Sequence, residues 1–259
     1  MRLDVYLTEN GFTKSRSQAA ECIKSGLVSV NGFTNVKPSM TISETDEVIL
    51  LGTPHNYVGR GGLKLEHALD FFGINVAGMS AIDIGASTGG FTDCLLKKGA
   101  ASVAAVDSGH GQLDPSLVNN PAVTSMEGFN ARDLSIDTMG RAFDIAVTDV
   151  SFISQTLILE PAASVLQQNG IYIGLIKPQF ECGSSALGKN GIVKDKKQHR
   201  HSITKVAEAG INAGFSVKGL TVSPITGGDG NKEFLIFLTK DSKGNLPDDF
   251  GNIINEVCK

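Results

Sequence analysis

Apolar positions in the first fifty residues recur at helical spacing and then alternate. In RLDVYLTENG, Leu3, Val5, Tyr6 and Leu7 precede Asn10-Gly11, which predicts a short helix with a glycine stop. Ser15 and Gln18 have capping-box spacing, and the next helix runs to Gly26 with Ala19, Ala20 and Ile23 on its apolar side. LVSVNGFTNV then alternates around Asn31-Gly32, a dipeptide suited to the positive φ angles of a hairpin turn. Residues 1–52 are therefore expected to form a small α+β module. Residues 53–62, TPHNYVGRGG, lack apolar periodicity and are rich in Gly and Pro, so they are expected to be a linker.

From residue 63 the period changes. LKLEHALDFFG predicts a helix from Leu63 to Gly73. Short apolar runs then alternate with helical stretches. Strands are expected at Ala81–Ile84, Ser102–Val106, Ala122–Ser125, Phe143–Thr148, Ile171–Ile176, Phe215–Ser223 and Glu233–Thr239, with a long helix from about Lys196 to Ala213. Such alternation predicts an α/β domain over residues 63–259, its mostly parallel sheet covered by helices on both faces.

Composition changes this picture little. The 259 residues are 41 % hydrophobic and 19 % charged, ordinary for a protein with a packed core. The formal net charge of −4 is silent about nucleic acid, since a local basic face can be offset elsewhere. Cys22, Cys94, Cys182 and Cys258 are widely spaced, which suggests neither a disulfide framework nor a zinc site and suits a reducing, cytoplasmic setting. His110, His199 and His201 lack ligand-type spacing; they are expected on the surface or in loops, and no metal is expected. No basic-then-apolar leader opens the chain, and no apolar run is long enough to cross a bilayer, so no membrane role is expected.

Candidate chemistry gathers at strand ends. IDIGASTGGFTD places Gly85, Ser87 and Gly90 where a dinucleotide fold has its G-x-G-x-x-G. A side chain at Ser87 obstructs the close approach of a pyrophosphate. Asp83 suggests a cofactor with a positive end, such as the ammonium and sulfonium of S-adenosyl-L-methionine, with Gly85 and Gly89 permitting a tight turn. Asp107 ends the second strand 24 residues after Asp83, where a carboxylate can accept both ribose hydroxyls of an adenosine. Asp149 and Lys177 follow two very apolar strands, Glu233 opens the last strand, and Lys64 lies on the helix before the first. Charges so placed are either ion-paired or reactive. Beside a methyl donor, a desolvated lysine can take or stabilise the proton of a hydroxyl acceptor. The Asp149-Val150-Ser151-Phe152 segment lacks the Pro-Pro-aromatic pattern of base-amine methylation, and no cysteine nucleophile stands at a strand end.

RLDVYL, SRSQAAECIKSGLVSVNG, YVGRGGLKLEHAL, DIGASTGGFTD, VDSGHGQL, NARDL, TDVSFIS, IKPQFE, GIVKD and SPITGGDGNKEF occur in this order over almost the whole chain. Together they resemble the TlyA family of hemolysin A-like proteins and ribosomal RNA 2′-O-methyltransferases. The resemblance implies a small RNA-binding domain of ribosomal-protein type, followed by an FtsJ/RrmJ-like domain with a Rossmann-like class I methyltransferase fold and a seven-stranded sheet. It implies a Lys-Asp-Lys-Glu catalytic set at Lys64, Asp149, Lys177 and Glu233, with Lys177 activating the ribose hydroxyl. It further implies cofactor contacts from Asp83, Gly85, Ser87, Gly89, Asp107, Asn130 and Ala131, and ribosomal RNA or a ribosomal subunit as partner, with no obligate protein partner. Arg2, Lys14, Arg16, Lys24 and Arg60 are the candidate RNA contacts, reaching phosphates without reading bases. Gly59 stands where relatives commonly carry serine. The alternatives are a non-catalytic RNA-binding or ribosome-assembly protein, and a cytolysin.

Overall fold

The computed structural model describes residues 1–13, 15–52, 56–227, 230–241 and 243–259; Lys14 and the 53–55 part of the expected linker lie outside the described residues. The chain divides into two units, Met1–Gly59 and Arg60–Lys259. In the first, α1 (Leu3–Glu9) and α2 (Arg16–Lys24) precede the short strands β1 (Val28–Val30) and β2 (Val48–Leu50). The Ser15 hydroxyl accepts the Gln18 N–H and starts α2, as the spacing predicts. Leu3, Leu7, Ala19, Cys22, Ile23, Val28, Val30 and Ile42 form this unit's own core.

The hairpin expectation needs correction. Asn31 and Gly32 do turn with positive φ, and Val30 bridges Phe33, but pairing stops there. β1 instead pairs antiparallel with β2, beyond a long excursion. Asn31 is the reason: its N–H donates to the Glu47 carbonyl, its Oδ1 accepts the Glu47 N–H at 2.8 Å, and its Nδ2 donates to Asp46 at 2.7 Å. The turn is thereby tied to residues 46–47, not to its own second arm.

The second unit runs α3 (Gly61–Phe72), β3 (Ser80–Ile84), α4 (Gly90–Lys97), β4 (Ser102–Asp107), α5 (Pro115–Val118), β5 (Val123–Glu127), α6 (Ile136–Met139), β6 (Phe143–Thr148), α7 (Leu159–Val165) and β7 (Leu166–Ile176). Then follow α8 (Pro178–Glu181), α9 (Lys196–Asn212), β8 (Phe215–Val222), β9 (Phe234–Lys240) and α10 (Phe250–Val257). Helix α3 starts two residues earlier than periodicity predicts, with Arg60 in helical conformation at its N-cap. Among the described residues the sheet has seven strands in the order β5-β4-β3-β6-β7-β9-β8. The first five pair in parallel, and β9 is antiparallel to both neighbours.

Strand order reverses between β3 and β6, and in such sheets the crevice at that reversal, beyond the carboxyl ends of the strands, is where ligands bind. The strands facing it are almost wholly buried: Ala81 to Ile84 and Ile145 to Thr148 contribute no appreciable surface. Helix α9 buries His199, Ser202, Ile203, Val206, Ala207 and Gly210 at helical spacing against the sheet. His199 is thus not the surface residue expected. It is 5 % exposed, its Nε2 lies 2.9 Å from the Val193 carbonyl, its ring meets Phe234 edge-on, and burial lowers its pKa.

Candidate active site

The turn after β3 is held by its own backbone and by β4. Gly85 and Ala86 donate to the Val106 carbonyl at 2.8 and 3.1 Å, so the chain leaves β3 pressed against the end of β4. Gly85 has φ 86°, and a Cβ there would stand 3.0 Å from the Asp149 carbonyl oxygen. A side chain would push apart the ends of β3 and β6. Ser87 adopts positive φ (48°) despite its Cβ, and its N–H donates to Asp107 Oδ2 at 2.8 Å. Gly109 N–H donates to the other oxygen, Oδ1, at 2.8 Å. Asp107 is therefore clamped by backbone donors on both oxygens.

A cavity of about 450 Å³ opens here, lined by Gly85, Ser87, Asp107, Asn130, Ala131 and Asp149 among others. That volume suits a nucleoside-sized ligand. Part of its wall is the segment 129–131 beyond β5, where Asn130 caps a helical turn by accepting the Arg132 N–H; Glu127 at the end of β5, outside the lining, accepts the Gly111 and Gln112 N–H groups at 2.8 and 3.1 Å. A second space of about 160 Å³ shares Gly85, Ser87, Asp149 and Ser151 with the first and is closed by Lys177, Phe91 and Gly61. Two adjoining cavities with a shared wall can hold two reactants.

Asp83 and Gly89 stand behind these cavities. Asp83 is fully buried; Oδ2 accepts the Thr92 N–H at 2.9 Å and hydroxyl at 2.7 Å, while Oδ1 is buried without a hydrogen-bond partner. Burial lifts its carboxyl to about 7, the Thr92 hydroxyl opposes this, and the charge of Asp149 adds to it. Gly89, with φ 94°, begins α4, and a Cβ there would run into Leu117 and Leu113.

The three charged residues expected at strand ends and Lys64, expected on the helix before the first strand, converge. Glu233, 2 % exposed, accepts from Lys64 Nζ at 2.6 Å. Lys64 Nζ lies 4.0 Å from Asp149 Oδ2, and Asp149 Oδ1 lies 2.6 Å from Lys177 Nζ. Lysine and carboxylate alternate along the row Glu233, Lys64, Asp149, Lys177. Lys64 is a lysine on the buried face of a helix, and Glu233 is what makes that tolerable. Only Lys177 of the four charges meets the smaller cavity together with Asp149.

Sequence reasoning passed over three neighbours. Lys177 Nζ donates to Ser151 Oγ at 2.8 Å. Phe152 is 92 % exposed with φ 63°, and its ring lies 5.3 Å from that of Phe180, which Lys177 also approaches. TDVSF was legible as a segment, but the left-handed Phe152 backbone has no sequence signal. The candidate RNA contacts are divided between the two units. Arg2, Arg16 and Lys24 are exposed on the first unit, whereas Arg60 belongs to the second and donates to the Thr226 carbonyl at 3.1 Å.

The strand order and the two adjoining cavities at its reversal define a class: a methyltransferase fold. Residues 57–240 match the FtsJ-like methyltransferase family, and residues 1–48 match the S4 domain. Over 92 % of its length the chain is 40 % identical to the 16S/23S rRNA (cytidine-2′-O)-methyltransferase TlyA of Mycobacterium tuberculosis, spanning 89 % of that protein. It is 42 % identical to Hemolysin A of Brachyspira hyodysenteriae, over 91 % of this chain and 98 % of that one. A solved structure, "Putative hemolysin from Streptococcus thermophilus", superposes with TM-score 0.79 at 42 % identity, covering 99 % of this chain and 95 % of that one. The chain belongs to the TlyA family, with an S4 domain followed by an FtsJ-like methyltransferase domain.

Proposed function

We propose that this protein transfers a methyl group from S-adenosyl-L-methionine to a ribose 2′-hydroxyl of ribosomal RNA. The observation that carries the reading is the row Glu233, Lys64, Asp149, Lys177, which ends with Lys177 in a cavity continuous with the glycine turn. The larger cavity fits the cofactor chemically. Asp107 offers carboxylate oxygens to ribose hydroxyls, Asn130 and Ala131 line the place for a base, and Gly85 and Ser87 line the end toward the acceptor. Asp83 and Gly89 support the floor and the helix start behind it. When bound, S-adenosyl-L-methionine supplies an electrophilic methyl on its sulfonium.

The protein's task is to present an oxygen lone pair. A ribose hydroxyl in the smaller cavity meets Lys177 Nζ, whose position is set by Asp149 Oδ1 and Ser151 Oγ. With its own ammonium proton first released to solvent, the neutral Nζ would take the hydroxyl proton as the methyl passes from sulfur to oxygen and a neutral thioether leaves, and Asp149 would stabilise the ammonium so re-formed. Lys64 and Glu233 hold Asp149 in place from behind, which is orientation and not proton transfer. The S4 domain supplies RNA affinity through Arg2, Lys14, Arg16 and Lys24, and the substrate places the protein in the cytoplasm.

The test is transfer of labelled methyl from the cofactor to purified ribosomal subunits, with the product nucleoside identified by mass spectrometry. Incorporation as a 2′-O-methylnucleoside by the native protein, and its loss in Lys177→Ala with calorimetric cofactor binding intact, is the expected result. Full activity of Lys177→Ala, or a methylated base in place of a ribose, would overturn the assignment.

A further inference from the structure

One buried carboxylate of the first unit lies between two exposed arginines. Asp4, in the first turn of α1, is 4 % exposed. Its Oδ1 accepts Arg2 Nε at 2.9 Å and the Val5 N–H at 3.1 Å, and its Oδ2 accepts Arg2 Nη2 and Arg16 Nη2, each at 3.0 Å. Arg2 is gripped as a two-pronged fork, and Arg16 reaches the same oxygen from α2. Both arginine side chains stay open to solvent, at 49 % and 60 % exposure. The backbone beneath them is tied down as well: Arg2 bridges Thr41, and the N-terminal ammonium donates to the Ile42 carbonyl at 2.8 Å.

Two guanidiniums on one carboxylate leave a surplus positive charge. A guanidinium has five N–H donors, and Asp4 takes two from Arg2 and one from Arg16. A phosphodiester, singly charged with two accepting oxygens, complements such a pair. The hydrogen bond from Arg2 and the partnership with Arg16 hold the Asp4 carboxyl at about 2 against its burial, so the carboxylate persists at any pH where RNA is bound.

We propose that Asp4 is a positioning residue that joins Arg2 and Arg16 into a single fork for an RNA phosphodiester. The inference rests on the reading of the S4 domain as RNA-binding. It has a consequence opposite in sign to simple charge counting: removing this negative charge from an RNA-facing surface weakens RNA binding, because two ordered arginines become mobile and must be immobilised by the ligand.

Filter binding of the full-length protein to purified ribosomal subunits across a salt series tests it. Asp4→Asn is expected to bind about fivefold to tenfold more weakly, with the slope of affinity against salt unchanged because the number of phosphate contacts is unchanged. Arg2→Ala with Arg16→Ala is expected to lose affinity and to flatten that slope by about one unit in all, since the fork neutralises one phosphate. In that double-alanine background Asp4→Asn should have no further effect. Arg2→Lys with Arg16→Lys keeps both charges without the forked geometry, and should weaken binding about tenfold at an unchanged slope; this variant carries the test if Asp4→Asn fails to fold.

Native or tighter binding by Asp4→Asn, or by the double lysine variant, while the double alanine variant binds weakly, overturns the fork. So does an Asp4→Asn penalty that persists in the double alanine background, which would mark Asp4 as a fold residue. Native binding by the double alanine variant at an unchanged slope sinks instead the reading of these arginines as RNA contacts.

Discussion

Lys64 and Lys177 touch the same carboxylate, yet their neighbourhoods differ. Lys64 Nζ is locked between Asp149 and the almost fully buried Glu233, so Glu233→Ala leaves an ammonium without its closest counter-charge. Such a change is expected to cost about 3–5 kcal/mol of stability by denaturant titration. Lys177 faces a cavity, and Lys177→Ala should cost about 1 kcal/mol while lowering the methylation rate at least ~10²-fold. Equal loss of stability in both variants would contradict this division of labour. Asp83 gives a pH signature. An unfolded aspartate titrates near ~4, whereas burial moves the folded group to about 7. Between those values the folded chain holds a proton that the unfolded chain has released, so Asp83 makes stability fall as pH rises through this window and adds no further slope above it. Melting temperature measured from pH 4 to 8 should show that fall in the native protein and a flatter curve in Asp83→Asn.

The turn between β3 and α4 shows how an element is set by more than its own residues. Gly89 takes φ 94°, and the space a side chain would need is filled by Leu117 of α5 and Leu113 before it. Gly89→Ala therefore combines backbone strain with crowding, a cost of about 1–3 kcal/mol. Adding Leu117→Ala in that background relieves the crowding but not the φ, so urea titration should show partial recovery only. Complete recovery would assign the whole cost to packing. The first unit repeats the lesson in a strand: Asn31-Gly32 turns as its composition dictates, while the partner of β1 is chosen by hydrogen bonds to residues 46 and 47.

The two units each bury a core of their own, one around Leu3, Leu7 and Ile23, the other around the sheet with Phe143, Tyr172 and Phe234. Cavities for the proposed cofactor are lined wholly by the second. Scanning calorimetry is therefore expected to resolve two transitions, of which S-adenosyl-L-methionine raises only the one belonging to residues 60–259. At a hundredfold excess over its dissociation constant the cofactor adds about 2.7 kcal/mol to that unit. A shift of both transitions by the same amount would show that the units unfold together. Among the described residues no helix is long and apolar enough to cross a membrane.

Local pattern alone determined much of this protein. The alternation of apolar runs with helices, the Ser15 cap, the glycine turn and the charges after β6 and β7 were legible because each depends on neighbours a few residues away. Asp149 and Lys177 stood out because a charge closing an apolar strand advertises its own burial, while their meeting with Lys64 of α3 and Glu233 before β9 was decided in space. Tertiary structure alone decided the rest. The burial of His199, the pairing of β1, the orphaned oxygen of Asp83, the contact of Ser151 with Lys177 and the grip of Asp4 on Arg16 each join residues distant in the chain. Hydrogen bonds and exclusion from water are properties of positions in space, and a linear pattern records them only where the partner is also a neighbour in sequence.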